Sequence, residues 1–242
     1  MRSDFRQEFY SKYNSAFKVH ISDFSLKSIT KMWKKNDYLY FPLISSYSAD
    51  VPILELGCGR GYMLEYLRKK SFNNLKGIDI SEEQIKISKQ KGFDVEVADV
   101  HNYLSRKEDK FKVIIALDFV EHFSKDELIP LFEKIFDKLD DDGIFIFHTP
   151  NGQSLLSANL IYGDLTHLTI FTPNSALQLL KLVGFNNISF YESGPVPKNI
   201  LGLFRLLIWQ IIKLGYNFAS LVETGSKNKI LTQNFIVAAK KY

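Results

Sequence analysis

The feature that most constrains this chain is a short apolar segment that ends in three closely spaced glycines. Residues Val51 to Leu56 are typical of a buried strand, and Gly57, Gly59 and Gly61 follow it directly. Residues 62–67 then carry the apolar spacing of a helix. A strand that ends in glycines and opens a helix brings backbone amides close to a ligand. We therefore expect a ligand-binding loop at the first turn of an α/β fold.

The spacing of these glycines, G-x-G-x-G, differs from the G-x-G-x-x-G of dinucleotide-binding enzymes. Glycines also serve ordinary turn geometry, so the loop alone indicates only a nucleotide-like ligand. A nicotinamide oxidoreductase is the rival enzyme class for such a fold, and it would require the wider spacing.

Strand and helix patterns alternate along the rest of the chain. Helices are predicted from Lys125 to Leu139 and from Thr172-Pro173 to Gly184, and Ser81 is predicted to cap another. The predicted strands are Val51 to Leu56, Leu75 to Ile80, Val95 to Ala98, Phe111 to Leu117, Ile144 to Phe147, Ile188 to Tyr191 and Phe235 to Ala239. This alternation predicts an α/β fold with a doubly wound, mostly parallel sheet.

We expect a single domain over residues 1–242, large enough to bury its own core. The core is expected at 50–193 and 230–242, with a helical cap at 1–49 and a helical insertion at 195–229.

The cap carries aromatic residues spaced by three or four, which predicts an amphipathic helix, and Leu26 to Tyr40 predicts a second one. The aromatic residues are Phe5, Phe9, Tyr10, Tyr13 and Phe17. Packing on the main domain is the favoured interpretation, and a lid over a ligand is the alternative. Residues 1–17 are charged throughout, so no signal peptide is predicted.

Composition narrows the class of protein. With 45% hydrophobic and 24% charged residues the chain is globular, and its net charge of +4 is scattered, so no nucleic-acid partner is expected. Cys58 is the one cysteine, which excludes an internal disulfide and is compatible with a cytoplasmic location.

Three acidic residues lie at or near predicted strand ends. Glu55 precedes the glycine loop, Asp79 ends the second strand and Asp99 follows the third. Each could simply cap a helix, but three at successive strand ends favour a cationic adenosine cofactor and would repel a pyrophosphate.

Several motifs together resemble those of the Rossmann-like, or class I, S-adenosylmethionine-dependent methyltransferases, of the ubiquinone-type and surface-polysaccharide group. The motifs that carry this resemblance are Ile53 to Gly61, Gly77 to Ser81, Ala98 to Val100, Leu117 to His122, Asp142-Gly143 and Thr149 to Asn151. The resemblance covers about residues 50–193 and returns at the last strand. It implies a seven-stranded sheet whose antiparallel last strand forms a hairpin with strand six.

The resemblance also implies S-adenosylmethionine as the methyl donor and assigns its contacts. Asp79 would hold the ribose, Asp99 and Val100 would lie by the adenine, and the loop would hold the methionine portion. The predicted donor-binding residues are Glu55, Gly57, Cys58, Gly59, Gly61, Asp79, Ile80, Asp99, Val100 and Leu117. The motifs say almost nothing about the acceptor.

Methyl transfer to an oxygen requires a base, and histidine is suited to that role near neutral pH. We rank His167 first, because the loop at 163–171 is similar to one that places a histidine near the acceptor in sugar methyltransferases. His122 is second, with Glu121 beside it, and a structural role is favoured for His148.

An acid-x-x-Glu-His run at Asp118, Glu121 and His122 resembles the divalent-metal site of ubiquinone-type O-methyltransferases. Two carboxylates and an imidazole would need further ligands or waters. A metal is therefore compatible with the sequence but not favoured.

The insertion contains an apolar stretch, Ile200 to Val222, interrupted by Arg205 and Lys213. Two charges make a spanning helix costly, so an amphipathic helix is predicted. Its polar or small stripe consists of Gly202, Arg205, Lys213, Asn217 and Ser220. Packing or dimerisation through 198–224 is favoured, with membrane-surface contact as the alternative.

Appended helices of this kind resemble those of bacterial surface-polysaccharide methyltransferases. We therefore predict O-methylation of a sugar hydroxyl on a nucleotide sugar or glycan, in the cytoplasm and in part at the inner face of the membrane. The alternatives are another small acceptor, such as a quinone precursor or a phosphorylated metabolite, and a non-catalytic module that binds the donor.

Overall fold

A computed structural model describes residues 26–106 and 109–242, together with residue 9. The strands are β1 Ile53–Leu56, β2 Leu75–Asp79, β3 Asp94–Val97, β4 Phe111–Leu117, β5 Leu139–Pro150, β6 Asn187–Glu192 and β7 Asn234–Lys240. The helices, numbered from the first with described bounds, are α1 Leu26–Leu39, α2 Phe41–Ile44, α3 Tyr62–Lys69, α4 Glu82–Gln90, α5 Val100–Leu104, α6 Lys125–Lys138, α7 Ala158–Ile161, α8 Pro173–Val183 and α9 Ile200–Thr224. A 3₁₀ turn, Val120–His122, follows β4.

The seven strands form one sheet in the order β3-β2-β1-β4-β5-β7-β6. Strands β1 to β5 pair in parallel, whereas β7 is antiparallel to both β5 and β6. The predicted fold, including the antiparallel last strand, is confirmed. From β1 the chain continues to β2 on one side, and from β4 it continues to β5 on the other, so the strand order reverses between β1 and β4. In such sheets ligands bind in the crevice at the carboxyl ends of these two strands.

The central strands are buried on both faces, and alternate residues divide between two cores. Leu54 and Ile114 belong to the core on one face, and Ile53 and Val113 to the core on the other. Helix α1 and the residues after it contribute Leu39, Tyr40 and Ile44 to the second core. Helix α1 and the residues up to Ile44 therefore pack on the face of the sheet that carries the second core.

Helix boundaries follow the predicted signals. The Ser81 hydroxyl accepts a hydrogen bond from the Gln84 amide and begins α4. Thr172 caps α8, and Gly184 ends it at φ 113°, in the left-handed region that favours glycine. Strand β5 is longer than predicted at both ends, because Leu139 pairs with Phe111 of β4 across a register irregularity and residues 148–150 continue the pairing with β7.

Helix α1 matches the predicted Leu26-to-Tyr40 helix. Most of the preceding aromatic segment lies outside the described residues, and of its members only Phe9 is described, in a helix. The inserted helix α9 has 25 residues, a length of about 37 Å at the usual rise per residue. Among the described residues, no helix combines the length and apolarity needed to cross a membrane.

Candidate donor and acceptor site

The glycine loop has a backbone that favours glycine at each of its three positions. Gly57, Gly59 and Gly61 have φ of 69°, 50° and 72°. A Cβ at Gly57 would lie 2.7 Å from the Phe119 ring, and one at Gly61 would lie 2.5 Å from the Ser88 hydroxyl. Side chains at these positions would strain the backbone and collide with neighbours. The loop therefore brings its amides to the crevice without side chains in the way.

Asp79 fixes this loop through both of its carboxylate oxygens. Oδ2 accepts a hydrogen bond from the Gly59 amide at 2.9 Å, and Oδ1 accepts from the Ser81 amide at 2.8 Å. Asp79 therefore has a structural role, in agreement with the alternative that it caps a helix.

Glu55 is a buried carboxylate at the base of the loop, with only 4% of its surface exposed. Its Oε2 atom is buried and finds no hydrogen-bond partner among the residues that the structure describes. Burial, reinforced by the nearby Asp79 carboxylate, raises the pKa of Glu55 well above its usual range. An unpartnered buried carboxylate is costly, and a cation in the adjoining cavity would offset that cost.

A cavity of about 350 Å³ opens beside Glu55. Its wall combines α1, the glycine loop, the starts of α3 and α4, and the ends of β4 and β5. The lining residues are Met32, Lys35, Asn36, Tyr40, Glu55, Cys58, Gly59, Arg60, Tyr62, Met63, Gln84, Leu117, Asp118 and His148. Four predicted donor-binding residues, Glu55, Cys58, Gly59 and Leu117, thus share one cavity.

Helix α1 both packs and covers the cavity, so the two interpretations of the N-terminal segment are not exclusive for this helix. Tyr40 belongs to the core and also lines the cavity, where Lys35 and Asn36 join it. Lys35 and Asn36 carry no sequence signal for this role, because their position depends on how α1 docks.

The remaining predicted donor-binding residues lie at neighbouring strand ends, outside the lining of this cavity. Ile80 is 43% exposed beside Asp79. Asp99 is exposed and accepts a hydrogen bond from the Asn102 amide at 3.0 Å, which makes it the cap of α5. Val100 is buried beneath it. These positions form an open surface with an apolar and an acidic side chain.

At the far side of the cavity, Asp118 and His148 form a pair. His148 Nδ1 lies 2.7 Å from Asp118 Oδ1, while His148 Nε2 is buried and has no hydrogen-bond partner among residues 26–106 and 109–242. Asp118 has a φ of 49°, an uncommon backbone conformation for a residue other than glycine. A carboxylate at Nδ1 fixes the orientation of an imidazole, as in many catalytic sites. The predicted structural role for His148 is compatible with this bond but leaves Nε2 unexplained.

Glu121, His122 and His167 converge next to this pair. The Leu168 and Thr169 amides donate to the Glu121 carbonyl at 2.8 and 3.0 Å, which ties the 163–171 loop to the end of β4. The rings of His122 and His167 lie 4.9 Å apart. Both catalytic histidines predicted from the sequence are therefore neighbours, and His167 Nδ1 is buried without a hydrogen-bond partner in the described part of the chain.

His122 is held by the loop. Its Nδ1 lies 2.9 Å from the Thr166 hydroxyl, which in turn donates to Asp164 at 2.6 Å. Since that hydroxyl gives its proton to Asp164, His122 Nδ1 carries the hydrogen of the contact. Burial and the neighbouring His167 lower the pKa of His122, so its neutral form is favoured.

Glu121 is buried, with 1% of its surface exposed, and neither carboxylate oxygen has a well-formed hydrogen bond to any described residue. Burial, then the negative charge of Asp118, raises the pKa of Glu121 to about 8. At neutral pH this carboxyl group is mostly protonated and can donate a hydrogen bond.

The metal-ligand set differs from the one predicted. Ligand atoms of Glu121, His122 and His167 all lie within 4.8 Å of one another, whereas Asp118 is not part of this group because it pairs with His148. One carboxylate and two imidazoles suit a transition metal better than magnesium.

Helix α9 turns its polar stripe toward the protein. Lys213 forms an ion pair with Glu192 at 2.7 Å, and Asn217 accepts from the Asn228 amide at 2.7 Å. Gly202 is buried and Ser220 half-buried, but Arg205 is exposed, so the predicted stripe is correct except for that residue.

The opposite face of α9 is apolar and exposed. It comprises Ile200, Leu203, Phe204, Leu207, Ile208, Ile211, Ile212, Leu214, Phe218, Leu221 and Val222. Packing of this face over an acceptor pocket, one of the predicted uses, is not seen among the described residues. Dimerisation and membrane contact remain as uses for it.

The chain matches a family model described as a methyltransferase domain over residues 32–190. Human mitochondrial arginine-hydroxylase NDUFAF5 is 28% identical over 215 residues, which cover 78% of this chain and 61% of that protein. The carboxy-S-adenosyl-L-methionine synthase of Nautilia profundicola is 31% identical over 134 residues, 52% of this chain and 56% of that protein. The chain spans about three fifths of the length of these curated relatives.

Solved structures give the same fold. A SAM-dependent methyltransferase from Archaeoglobus fulgidus, 25% identical, superposes with a TM-score of 0.65 over 88% of this chain and 95% of its own. Magnesium protoporphyrin IX methyltransferase from Synechocystis, 14% identical, has a TM-score of 0.61 over 98% of both chains and shares the fold. With more than half of its length matched by the family model, the chain belongs to the methyltransferase-domain family, in its Rossmann-like, S-adenosylmethionine-dependent class.

Proposed function

We propose that this protein transfers a methyl group from S-adenosylmethionine to a sugar hydroxyl of a surface-glycan intermediate. One observation carries the proposal. A cavity at the carboxyl ends of β1, β4 and β5 has the buried Glu55 carboxylate on one side and the Asp118–His148 pair on the other. Glu121, three residues after Asp118, belongs to the separate cluster with His122 and His167. A cationic donor and an acceptor that must lose a proton fit these two sides.

The donor side is proposed to work by charge and fixed amides. Glu55 would face the positive charge of the donor, and the Gly57–Gly61 amides would meet its methionine carboxylate. Asp79 would accept from the ribose hydroxyls, and the surface formed by Ile80, Asp99 and Val100 would hold the adenine. When bound, S-adenosylmethionine supplies an activated methyl group on its sulfonium.

The acceptor side is proposed to work by orientation and proton removal. His167 would accept the hydroxyl proton, with the neutral His122 packed against its ring and the protonated Glu121 donating a hydrogen bond nearby. Loss of that proton makes the oxygen a better nucleophile, and close alignment supplies much of the remaining acceleration. No metal is included in this mechanism.

Helix α9 is proposed to lie on an anionic membrane surface, where lipid-linked glycans are found. Its apolar face is about 37 Å long, and Lys227 and Lys229, past its end, would meet lipid phosphates. This would place the protein in the cytoplasm, at the inner face of the membrane.

Two alternatives keep the same fold. The acceptor could be a quinone precursor or a phosphorylated metabolite, or the protein could bind the donor without catalysis. The acceptor histidines argue against the second of these.

Two measurements test the proposal. S-adenosylmethionine and its demethylated product should raise the melting temperature, whereas NAD should not. Labelled methyl transfer to nucleotide sugars, quinone precursors and small phosphorylated metabolites should then give product only with sugars. Stabilisation without any product would support the binding module, and labelled quinone would support the alternative acceptor.

A further inference from the structure

A second cavity of about 350 Å³ lies between α1 and the start of α9. Four cationic side chains line it: Lys31 and Lys35 from α1, Lys198 from the loop after β6, and Arg205 from α9. The loop residues 193–196 complete the wall. Among the described residues, no acidic side chain takes part in this lining.

Lys35 lies close enough to Asp118 to lower the pKa of that carboxyl group, but the cations of this cavity form no ion pairs within the described part of the chain. None of the four cations forms an ion pair there, although Lys70, Lys91 and Lys213 each do elsewhere on the surface. Burial, together with the positive charges of the three other cations, lowers the pKa of Lys198. Convergent like charges destabilise one another, so the arrangement favours an anionic ligand.

Side chains, not helix amides, would hold this anion. The Asn199 side chain already accepts from the Gly202 amide at 2.7 Å and caps α9. Lysine ammonium and arginine guanidinium groups bind phosphate oxygens through short, charge-assisted hydrogen bonds.

The two cavities meet at Lys35, which lines both. A ligand anchored by its anionic group in the second cavity would therefore have its neighbouring atoms close to the donor cavity. Anchoring at a group remote from the reacting atom is an efficient way to orient an acceptor.

We propose that the cavity of Lys31, Lys35, Lys198 and Arg205 binds the phosphate or diphosphate group of the acceptor. The inference rests on the proposed function and adds the acceptor's class: a sugar linked through phosphate, whose hydroxyl reaches the methyl donor. A membrane headgroup carries the same phosphate ester. It could also reach this cavity, because the apolar face of α9 begins beside it. The experiment must separate these two sources.

Inorganic pyrophosphate is the direct probe, titrated into the full-length protein by calorimetry in a phosphate-free buffer. Lys198→Gln and Arg205→Gln should each weaken its binding by about tenfold, and the double variant by more. Lys227→Gln and Lys229→Gln are matched controls, since these exposed lysines lie past the other end of α9. Binding that is absent, or equal in all variants, would overturn the inference.

Vesicles separate the two phosphate sources. Pyrophosphate binding by the protein without vesicles supports the acceptor subsite. If the protein binds anionic vesicles in a way that depends on Lys198 and Arg205, and does not bind pyrophosphate, the cavity is a lipid headgroup site and the inference is overturned.

Enzyme assays distinguish failure of this inference from failure of the proposed function. If free sugars and their diphosphate-linked forms are methylated with equal KM, the subsite is wrong while the function stands. If no sugar is methylated but the two variants still lose pyrophosphate binding, the subsite stands and the sugar acceptor is wrong. Stabilisation by S-adenosylmethionine should be unchanged in both variants, which shows that they fold.

Discussion

Asp118 Oδ1 and His148 Nδ1 lie 2.7 Å apart although 30 residues separate them in the chain. They meet because β4 and β5 pair with Leu117 opposite His148. Asp118 is the next residue after Leu117, where the chain leaves β4. The His148 amide group reinforces the approach, since its carbonyl accepts from the Asp118 amide at 3.0 Å. The hydrogen bond fixes the His148 ring through Nδ1, and both residues form part of the wall of the donor cavity.

Asp118→Asn tests whether this charge matters to turnover. The amide keeps the size of the side chain but weakens the hydrogen bond to His148, so kcat/KM should fall about tenfold with little change in melting temperature. Asp137→Asn, at an exposed position on α6, is the control. Unchanged kinetics in Asp118→Asn would make the pair purely structural.

His167→Ala tests the proposed base. Removal of a general base should lower kcat by about a hundredfold or more, whereas stabilisation by S-adenosylmethionine should survive. His101→Ala is a control, because His101 contacts Phe123 away from the cluster. Near-normal turnover in His167→Ala would remove His167 from the mechanism.

Glu55→Gln separates donor binding from folding. Burial raises the pKa of Glu55 and disfavours its charged form, so the free protein with a neutral amide here should be at least as stable as the wild type. The Kd of S-adenosylmethionine should nevertheless rise by about tenfold or more, because the negative charge facing the donor is lost.

Asp79→Asn is the comparison for Glu55→Gln. An amide cannot accept from both the Gly59 and Ser81 amides, so this variant should lose stability as well as donor affinity. Equal donor affinity in Glu55→Gln and wild type would show that Glu55 does not face the donor.

The raised pKa of Glu121 predicts a pH dependence of stability. Its pKa is about 8 in the folded protein, against 4.5 for an ordinary glutamate. Between these values the folded state holds a proton that the unfolded chain releases, so the free energy of unfolding falls as the pH rises. Glu121→Gln removes this effect.

The difference in melting temperature, Glu121→Gln minus wild type, should therefore grow from about pH 5 to about pH 8. Glu133→Gln, at an exposed position on α6, should show no such trend. A difference that is constant over this range would contradict a buried, protonated Glu121.

The apolar face of α9 predicts binding to anionic vesicles. Replacement of Leu207, Ile211 and Phe218 by Gln should release the protein from vesicles, since these outward side chains would enter the membrane interface. Leu182→Gln, exposed on α8, is the control. If the triple variant instead converts a dimer to a monomer in light scattering, α9 is an interface between copies of this chain.

The sequence was sufficient for the parts of the fold that depend on local pattern. Gly57, Gly59 and Gly61 predicted the loop, and the alternation of strands and helices predicted the sheet, whose topology is confirmed. The resemblance supplied the antiparallel β7, which no local pattern specifies. Strand β5 was underestimated because pairing continues through an irregular, polar segment.

Contacts between distant segments were not predictable from the sequence. His148 meets Asp118 through the register of two strands, and Lys35 enters both cavities through the docking of α1. For α9 the sequence predicted the polar stripe, but it did not predict whether that stripe faces the protein or the solvent. The Lys213–Glu192 ion pair turns that stripe inward and leaves the apolar face outside, the reverse of an ordinary surface helix.

The most direct test of sugar O-methylation is tandem mass spectrometry of products formed with S-adenosylmethionine that carries a deuterated methyl group. A panel of diphosphate-linked sugars, quinone precursors and phosphorylated metabolites should be incubated with wild type and His167→Ala. We predict the label as an ether on a sugar hydroxyl, formed by the wild type and not by the variant. Label on a quinone precursor or on a group other than a sugar oxygen would contradict the proposal.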